Sequence, residues 1–161
     1  MTPRNALALG TLVVGTLDIL DAFIFFGLRG ASPVRILQSI AAGLLGREAA
    51  VQGGAATAAL GLALHFTIAF AIVGVYFLAS RLAPALIRHA IVFGLLYGVV
   101  AYFVMSYVVI PLSAANRGAF SLPVFINGIL IHMFGVGLPA ALCARAAAEG
   151  RDGQIRQVAQ A

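Results

Sequence analysis

The sequence predicts an all-α integral membrane protein: a four-helix transmembrane bundle with a short interfacial or re-entrant amphipathic helix between spans 1 and 2. Two observations predict this fold class. First, 62% of the 161 residues are hydrophobic and only 9% are charged, and the mean hydropathy is +1.05. Soluble domains carry about 25% charged residues, so these side chains are too few to cover a water-soluble monomer. Second, four apolar stretches are each long enough to cross a hydrocarbon core of about 30 Å.

The four predicted spans are apolar stretches of 21 to 25 residues. They cover about residues 6–28, 55–79, 90–110 and 124–144. At a rise of about 1.5 Å per residue, each stretch crosses a bilayer as one helix. Pro139 lacks a backbone N–H and is expected to kink the fourth span. A polar cytoplasmic tail is predicted over about 146–161, so that residues 1–161 form a single transmembrane domain.

The connection between spans 1 and 2 contains a helix start signal. Ser32 can cap a helix, and Pro33 is favoured at a first helical position. Apolar residues then recur at helical spacing up to Leu45, and Gly46 ends the pattern. A helix over about 33–46 is too short to span, so we expect it to cover one mouth of the bundle. The segment GREAAVQGG that follows is expected to be a flexible return into span 2.

Arginines near the span ends predict the orientation, because cytoplasmic loops carry an excess of Lys and Arg. The side of the termini holds Arg4, Arg81, Arg88, Arg145, Arg151 and Arg156, and the opposite side holds Arg29, Arg35, Arg47 and Arg117. Six arginines against four predict that both termini are cytoplasmic.

Ionisable side chains inside the spans are the main functional signal. They are Asp18 and Asp21 in span 1, His65 in span 2 and His132 in span 4. A charged group at the centre of a span costs roughly 2.5–3.5 kcal/mol. Because successive spans alternate in direction, three helices bring these groups to a similar depth near the midplane. We therefore predict a core polar site of Asp18, Asp21, His65 and His132. Its candidate outer partners are Thr57, Asn127 and Gln38.

Small residues share helix faces with these groups. Gly94 and Gly98 form a Gly-x-x-x-Gly pattern, which is typical of close contacts between membrane helices. Helix packing is also predicted at Gly61, Gly128 and Gly135. The core polar site is therefore expected to face the interior of the bundle.

Four interpretations of the core polar site are open from sequence. In the first, the histidines are structural and bond to a carbonyl or an aspartate. In the second, an Asp–His pair binds or relays a proton or cation. In the third, His65, His132 and Asp18 ligate a divalent metal such as zinc, iron or manganese. In the fourth, His65 and His132 hold haem b, with Gly61, Gly128 and Gly135 leaving room for it.

Two classes of function follow. In one, the chain binds or relays a proton, a metal ion or haem; in the other, it is an accessory or scaffold subunit of a larger membrane complex. No catalytic motif is found, so we do not expect an enzyme. Nucleic acid is not an expected partner, because the arginines are spread singly along the chain. Expected partners are the lipid bilayer, further copies of the chain, or a larger membrane complex.

Several stretches of the sequence resemble segments of other proteins. They include DILDAFIFFGLRGASPVRILQSIAAGLLG, GGAATAALGLALHF, ASRLAPALIRHAIVFGLLYG, VVIPLSA and IHMFGVGLPAAL. In these the chain, up to about Arg145, resembles a group of small, uncharacterised four-span bacterial inner-membrane proteins. The resemblance implies a location in the bacterial inner membrane. It implies no activity and assigns no catalytic residue.

Overall fold

The computed structural model describes residues 2–115 and 118–159, with side chains up to residue 150. In that part of the chain every regular element is a helix. The elements are α1 (Pro3–Gly27), α2 (Pro33–Leu45), α3 (Arg47–Gln52), α4 (Gly54–Leu82), α5 (Ala85–Arg88), α6 (Ala90–Val104), a π-helical segment (Met105–Val109), α7 (Ile110–Leu112), α8 (Leu122–Ile131), a second π-helical segment (His132–Gly137) and α9 (Leu138–Ala159). Arg117, counted in the orientation prediction, lies outside the described residues, as do the side chains of Arg151 and Arg156.

Four helices are long and apolar enough to cross a membrane. They are α1, α4, a third long helix (Ala90–Leu112) and a fourth long helix (Leu122–Gly150), and they correspond to the four predicted spans. The fourth continues without a break as α9 to Ala159, so the predicted polar tail is helical to that residue. Because the helices alternate in direction, Pro3 and Gly150 lie at one end, the terminal end, and α2 lies at the other, the α2 end.

The order of packing differs from the order along the chain. α1 packs against both α4 and the fourth long helix, and the fourth long helix also packs against the third. α4 and the third long helix are joined mainly by side chains. The Tyr97 hydroxyl donates a hydrogen bond to the carbonyl of Ile72 (2.6 Å), and the Tyr97 ring meets the edge of the Tyr76 ring. Consequently the bundle has a cleft between α4 and the third long helix.

Gly94 and Gly98 lie where the third long helix meets the fourth. A Cβ atom on Gly94 would be 3.0 Å from the carbonyl oxygen of Gly137, and one on Gly98 would be 2.6 Å from the Cα of Met133. A Cβ on Gly137 would in turn overlap the backbone of both glycines. The two helices therefore touch through their backbones, and this contact lies within one chain.

α2 closes one end of the bundle. The Ser32 hydroxyl accepts a hydrogen bond from the Arg35 N–H (3.3 Å), and Gly46, with φ of 78°, ends the helix. α2 packs closely on α4, where Gly61 faces the backbone of Leu37. Beyond this contact the N–H of Ala114 donates to the carbonyl of Gly43 (2.9 Å). α2 thus lies across the cleft, from α4 to the end of the third long helix.

The prediction that the segment GREAAVQGG is a flexible return was wrong for most of its length. Arg47–Gln52 form the helix α3, which packs on α2. The chain reverses at Gly46 and Gly54, which have φ of 78° and 59°. Glycine adopts a positive φ without the steric cost that other residues incur, because it has no Cβ atom. Neither turn therefore requires a longer loop, and six of the seven residues between the two glycines form the short helix α3.

The two π-helical segments each lie just before a proline, Pro111 or Pro139. A proline removes a backbone donor, and its ring clashes with the carbonyl four residues earlier. That carbonyl belongs to Tyr107 in one segment and to Gly135 in the other. A local change of hydrogen-bond register relieves the clash. The distortion expected at Pro139 therefore takes the form of a π-helical segment.

Candidate functional site

A central cavity of about 270 Å³ lies in the half of the bundle next to α2. Its walls come from α1, α2, α4 and the third and fourth long helices, and most of its lining is apolar. The polar residues that line it are Asp18, Ser39, His65, Tyr102, Ser106 and His132. The cavity therefore brings Asp18, His65 and His132, which are distant in sequence, to one surface. We refer to these three residues as the Asp–His cluster.

His65 is buried, and its ring is held on both sides. Its Nε2 lies 2.8 Å from the carbonyl oxygen of Gly15, and its Nδ1 lies 4.0 Å from Oδ2 of Asp18. A carbonyl oxygen only accepts, so Nε2 carries the proton in this hydrogen bond. In a neutral His65, the nitrogen nearer to Asp18 is therefore a bare acceptor.

The same argument sets the tautomer of His132. Its Nδ1 lies 2.9 Å from the carbonyl oxygen of Gly128, one turn earlier in the same helix. Nδ1 is therefore the donor, and a neutral ring carries an acceptor at Nε2. The ring also meets the edge of the Tyr102 ring at a centroid distance of 5.5 Å. The backbone and Tyr102 together fix the orientation of His132 at the cavity wall.

Asp18 is the carboxylate of the cluster, and its side chain is 28% exposed because it borders the cavity. It interacts electrostatically with His132, His65 and Asp21. When both histidines are neutral and Asp18 is ionised, the cluster presents acceptors and no donor toward the shared space. Acceptors that face one another repel at low dielectric, so these three residues are more stable with a shared proton than with all three groups unprotonated.

Asp21 is paired separately. Its Oδ2 accepts a hydrogen bond of 2.7 Å from the side-chain amide of Asn127. Asn127, predicted as an outer partner, therefore does contact the core polar site, through Asp21. The amide satisfies this carboxylate, which distinguishes Asp21 from Asp18.

Gln38 and Thr57 lie elsewhere. The Gln38 amide donates to the carbonyls of Val51 and Gly54, at 3.4 and 3.0 Å, and the Thr57 hydroxyl donates to the carbonyl of Ala50 at 2.5 Å. Both residues therefore connect the short helices to the start of α4. The structure does not bring these two predicted outer partners to the core polar site, because each is turned toward the α3–α4 junction.

The glycines expected to make room for haem face protein atoms. Gly61 lies against the backbone of Leu37, Gly128 against the Tyr102 ring, and Gly135 against the side chain of Ile131. His65 uses Nε2 and His132 uses Nδ1 for backbone carbonyls. Nothing in this geometry supports the haem interpretation.

The metal interpretation also lacks a ligand set in the described structure. Among residues 2–115 and 118–159, no three His, Cys, Asp or Glu side chains are grouped so that they could hold a metal ion. The predicted ligands Asp18, His65 and His132 share the cavity wall without forming such a group.

Among the cavity-wall residues that the sequence did not assign to the site are Ser39, Tyr102, Met105 and Ser106. Met105 and Ser106 begin the first π-helical segment, and His132 begins the second. π-helical segments occur often at functional sites. Pro111 and Pro139, each a few residues further along the chain, are the sequence signal that could have indicated this level of the bundle.

No protein-family model matches this chain, and no curated protein or solved structure is significantly similar to it. The resemblance to four-span bacterial membrane proteins therefore stays a prediction.

Proposed function

We propose that this chain is a multi-pass protein of the bacterial inner membrane whose Asp–His cluster is a proton-binding site. The observation that carries the proposal is the set of acceptors around the central cavity. The backbone carbonyls of Gly15 and Gly128 each take the proton of one histidine, so the remaining ring nitrogens and Asp18 compete for one more. A proton bound there converts two acceptors into a charge-assisted hydrogen bond.

The membrane setting strengthens this tendency. The four apolar helices and the exposed apolar side chains along them support insertion into a bilayer. An isolated carboxylate costs roughly 2.5–3.5 kcal/mol at a span centre. Two unit charges 4 Å apart interact by about 4 kcal/mol at an effective dielectric constant of 20. A proton shared with His65 or His132 therefore lowers the cost of placing Asp18 at this depth of the membrane.

The cavity is closed toward the terminal end, which favours proton binding over passage through the bundle. Between the cavity and the terminal end lies an apolar core of buried side chains that includes Val14, Val73, Tyr76 and Val136. In the described part of the chain, these four side chains are each less than 2% exposed. The cavity side, by contrast, is bordered by polar residues up to Ser39 of α2. We propose that protons exchange from the α2 end, with both termini in the cytoplasm.

Histidine NMR tests the proposal. The chain has three histidines, and the third, His89, is exposed at the terminal end and serves as an internal reference. In ¹⁵N-labelled protein, ring shifts report the tautomer and the protonation of each histidine. We expect an Nε2–H tautomer for His65 and an Nδ1–H tautomer for His132. Asp18→Asn removes the carboxylate that shares the cavity wall with both rings, so the protonation of His65 and His132 should change with it.

Asp21→Asn is the matched control, because its carboxylate is already paired with Asn127. It should change proton binding at His65 and His132 much less than Asp18→Asn does, and His89 should not respond to either variant. If Asp18→Asn fails to fold, His65→Gln provides the test, because it should alter the titration of His132. Identical titrations in all variants would overturn the proposal. They would favour the alternative, an accessory or scaffold subunit, which stoichiometric partners in a mild purification would support.

A further inference from the structure

A second concavity, separate from the Asp–His cluster, lies on the outside of α2. It measures about 400 Å³ and is lined by Arg35, Gln38, Ser39, Arg47 and Val51, among others. Arg35 comes from α2, and Arg47 is the first residue of α3. We call this concavity the arginine pocket. Both arginines also border the adjoining depression, whose rim carries Glu48.

The two arginines of this pocket are unpaired. In the described part of the chain, neither guanidinium makes a hydrogen bond or lies within 4.0 Å of a carboxylate. Other arginines do have partners. Arg145 forms an ion pair with Glu149 (2.8 Å), and Arg29 donates to the carbonyl of Phe25 (2.8 Å) with its guanidinium 3.6 Å from the Phe25 ring.

The neutral polar groups of the pocket are already engaged. The Gln38 amide donates to two backbone carbonyls, and the Ser39 hydroxyl donates to the carbonyl of Ile36 (2.6 Å). The free donors of the pocket are therefore the two guanidinium groups. Guanidinium groups match the geometry of phosphate oxygens through paired N–H donors. The chemistry of the pocket thus favours a phosphate group.

We propose that Arg35 and Arg47 bind the phosphate of an anionic phospholipid headgroup at the α2 end. The apolar surroundings favour a lipid over free phosphate. Val34, Leu44 and Val51 are exposed on the same short helices, by 48%, 63% and 36%, and can contact acyl chains. Basic pockets next to membrane helices are a known way to bind lipid headgroups. This inference rests on the proposed membrane location, but it is independent of the proposed proton site.

A binding assay on the purified full chain in neutral detergent tests this inference. The probe is phosphatidylglycerol, titrated in mixed micelles and followed by native mass spectrometry. Parallel titrations use phosphatidylcholine, whose phosphate is neutralised by its own cation, and inorganic phosphate. We expect phosphatidylglycerol to bind preferentially, and the double variant Arg35→Gln with Arg47→Gln to lose at least about tenfold in affinity.

Arg29→Gln is the matched control for the single variants Arg35→Gln and Arg47→Gln. Each of the three removes one positive charge at the same end of the bundle, but the Arg29 guanidinium is already held by Phe25. Arg29→Gln should leave phosphatidylglycerol binding nearly unchanged. Equal losses in Arg29→Gln and in each of the single variants Arg35→Gln and Arg47→Gln would overturn the inference, because they would show attraction by overall charge alone. Displacement of the lipid by equimolar inorganic phosphate would overturn the assignment to a lipid and indicate a site for the free anion. Neither result bears on the histidine titrations, so the two proposals fail separately.

Discussion

Gly98 is a position where one added methyl group should clearly disturb the bundle. It lies in the third long helix, where the backbone of the fourth long helix passes directly over it. A Cβ atom on Gly98 would be 2.6 Å from the Cα of Met133 and closer still to the carbonyl oxygen of His132. These are backbone atoms, so no side-chain rotation can relieve the overlap. Gly98→Ala must therefore push the two helices apart by about 1 Å.

The size of the effect follows from two opposing contributions. Overpacking of a tight contact costs about 1–3 kcal/mol. Replacing a helical glycine by alanine stabilises a helix by up to about 1 kcal/mol. The two contributions together span about 0–3 kcal/mol, and we expect a net loss near the middle of that range, about 1–2 kcal/mol, in the free energy of unfolding. At about 2–4 °C per kcal/mol for a chain of this size, Tm in detergent should fall by several degrees.

Gly74→Ala is the matched control for Gly98→Ala. Gly74 also lies inside a long helix, α4, but a Cβ atom added there would have no heavy atom of a neighbour within 4 Å. This variant should leave Tm unchanged or raise it. Thermal unfolding, followed by circular dichroism in the same detergent, measures both. Equal Tm values for the two variants would refute the reasoning, because they would show that the third and fourth long helices do not touch through their backbones.

Two further predictions concern the short helices and the orientation. Gln38→Ala should lower the free energy of unfolding by about 1–3 kcal/mol, because two carbonyls at the α3–α4 junction lose their donor. Gln52→Ala is the control, because it removes only an exposed hydrogen bond and should change the free energy of unfolding little. Urea unfolding in detergent would compare them, and equal stabilities would mean that Gln38 does not hold α2. Cysteines at Thr2 and Gly150, in a Cys143→Ser background, should resist an impermeant thiol reagent in intact cells and react after lysis. Labelling of both cysteines in intact cells would show the opposite orientation, with both termini outside the cytoplasm.

Much of the architecture was predictable because its signals are local. The lengths of the apolar stretches predicted four long helices, and Ser32, Pro33 and Gly46 predicted α2 to within one residue of its observed end. Caps, prolines and glycines act on the chain within a few residues of themselves. α3 escaped prediction because two glycines with positive φ made a tight reversal of what reads as a flexible linker.

The composition and the depth of the ionisable residues predicted one core polar site of Asp18, Asp21, His65 and His132, and the structure places Asp18, His65 and His132 on one cavity wall. Sequence could not show which atoms of these residues are free. That depends on the carbonyls of Gly15 and Gly128, which no sequence pattern marks. It also could not separate Asn127, which reaches Asp21, from Gln38 and Thr57, which face the α3–α4 junction.

The difference between what the sequence predicted and what only the structure showed has a physical reason. Hydropathy and spacing determine where a helix begins, how long it is and which residues share a face, since these depend on neighbours along the chain. The rotation of each helix about its axis, and the cleft that α2 covers, depend on backbone contacts between helices such as those at Gly61 and Gly98. Sequence by itself therefore determined four long apolar helices with polar groups at one level. Only the tertiary structure decided that three of those groups share a cavity wall and that Arg35 and Arg47 line a pocket of their own.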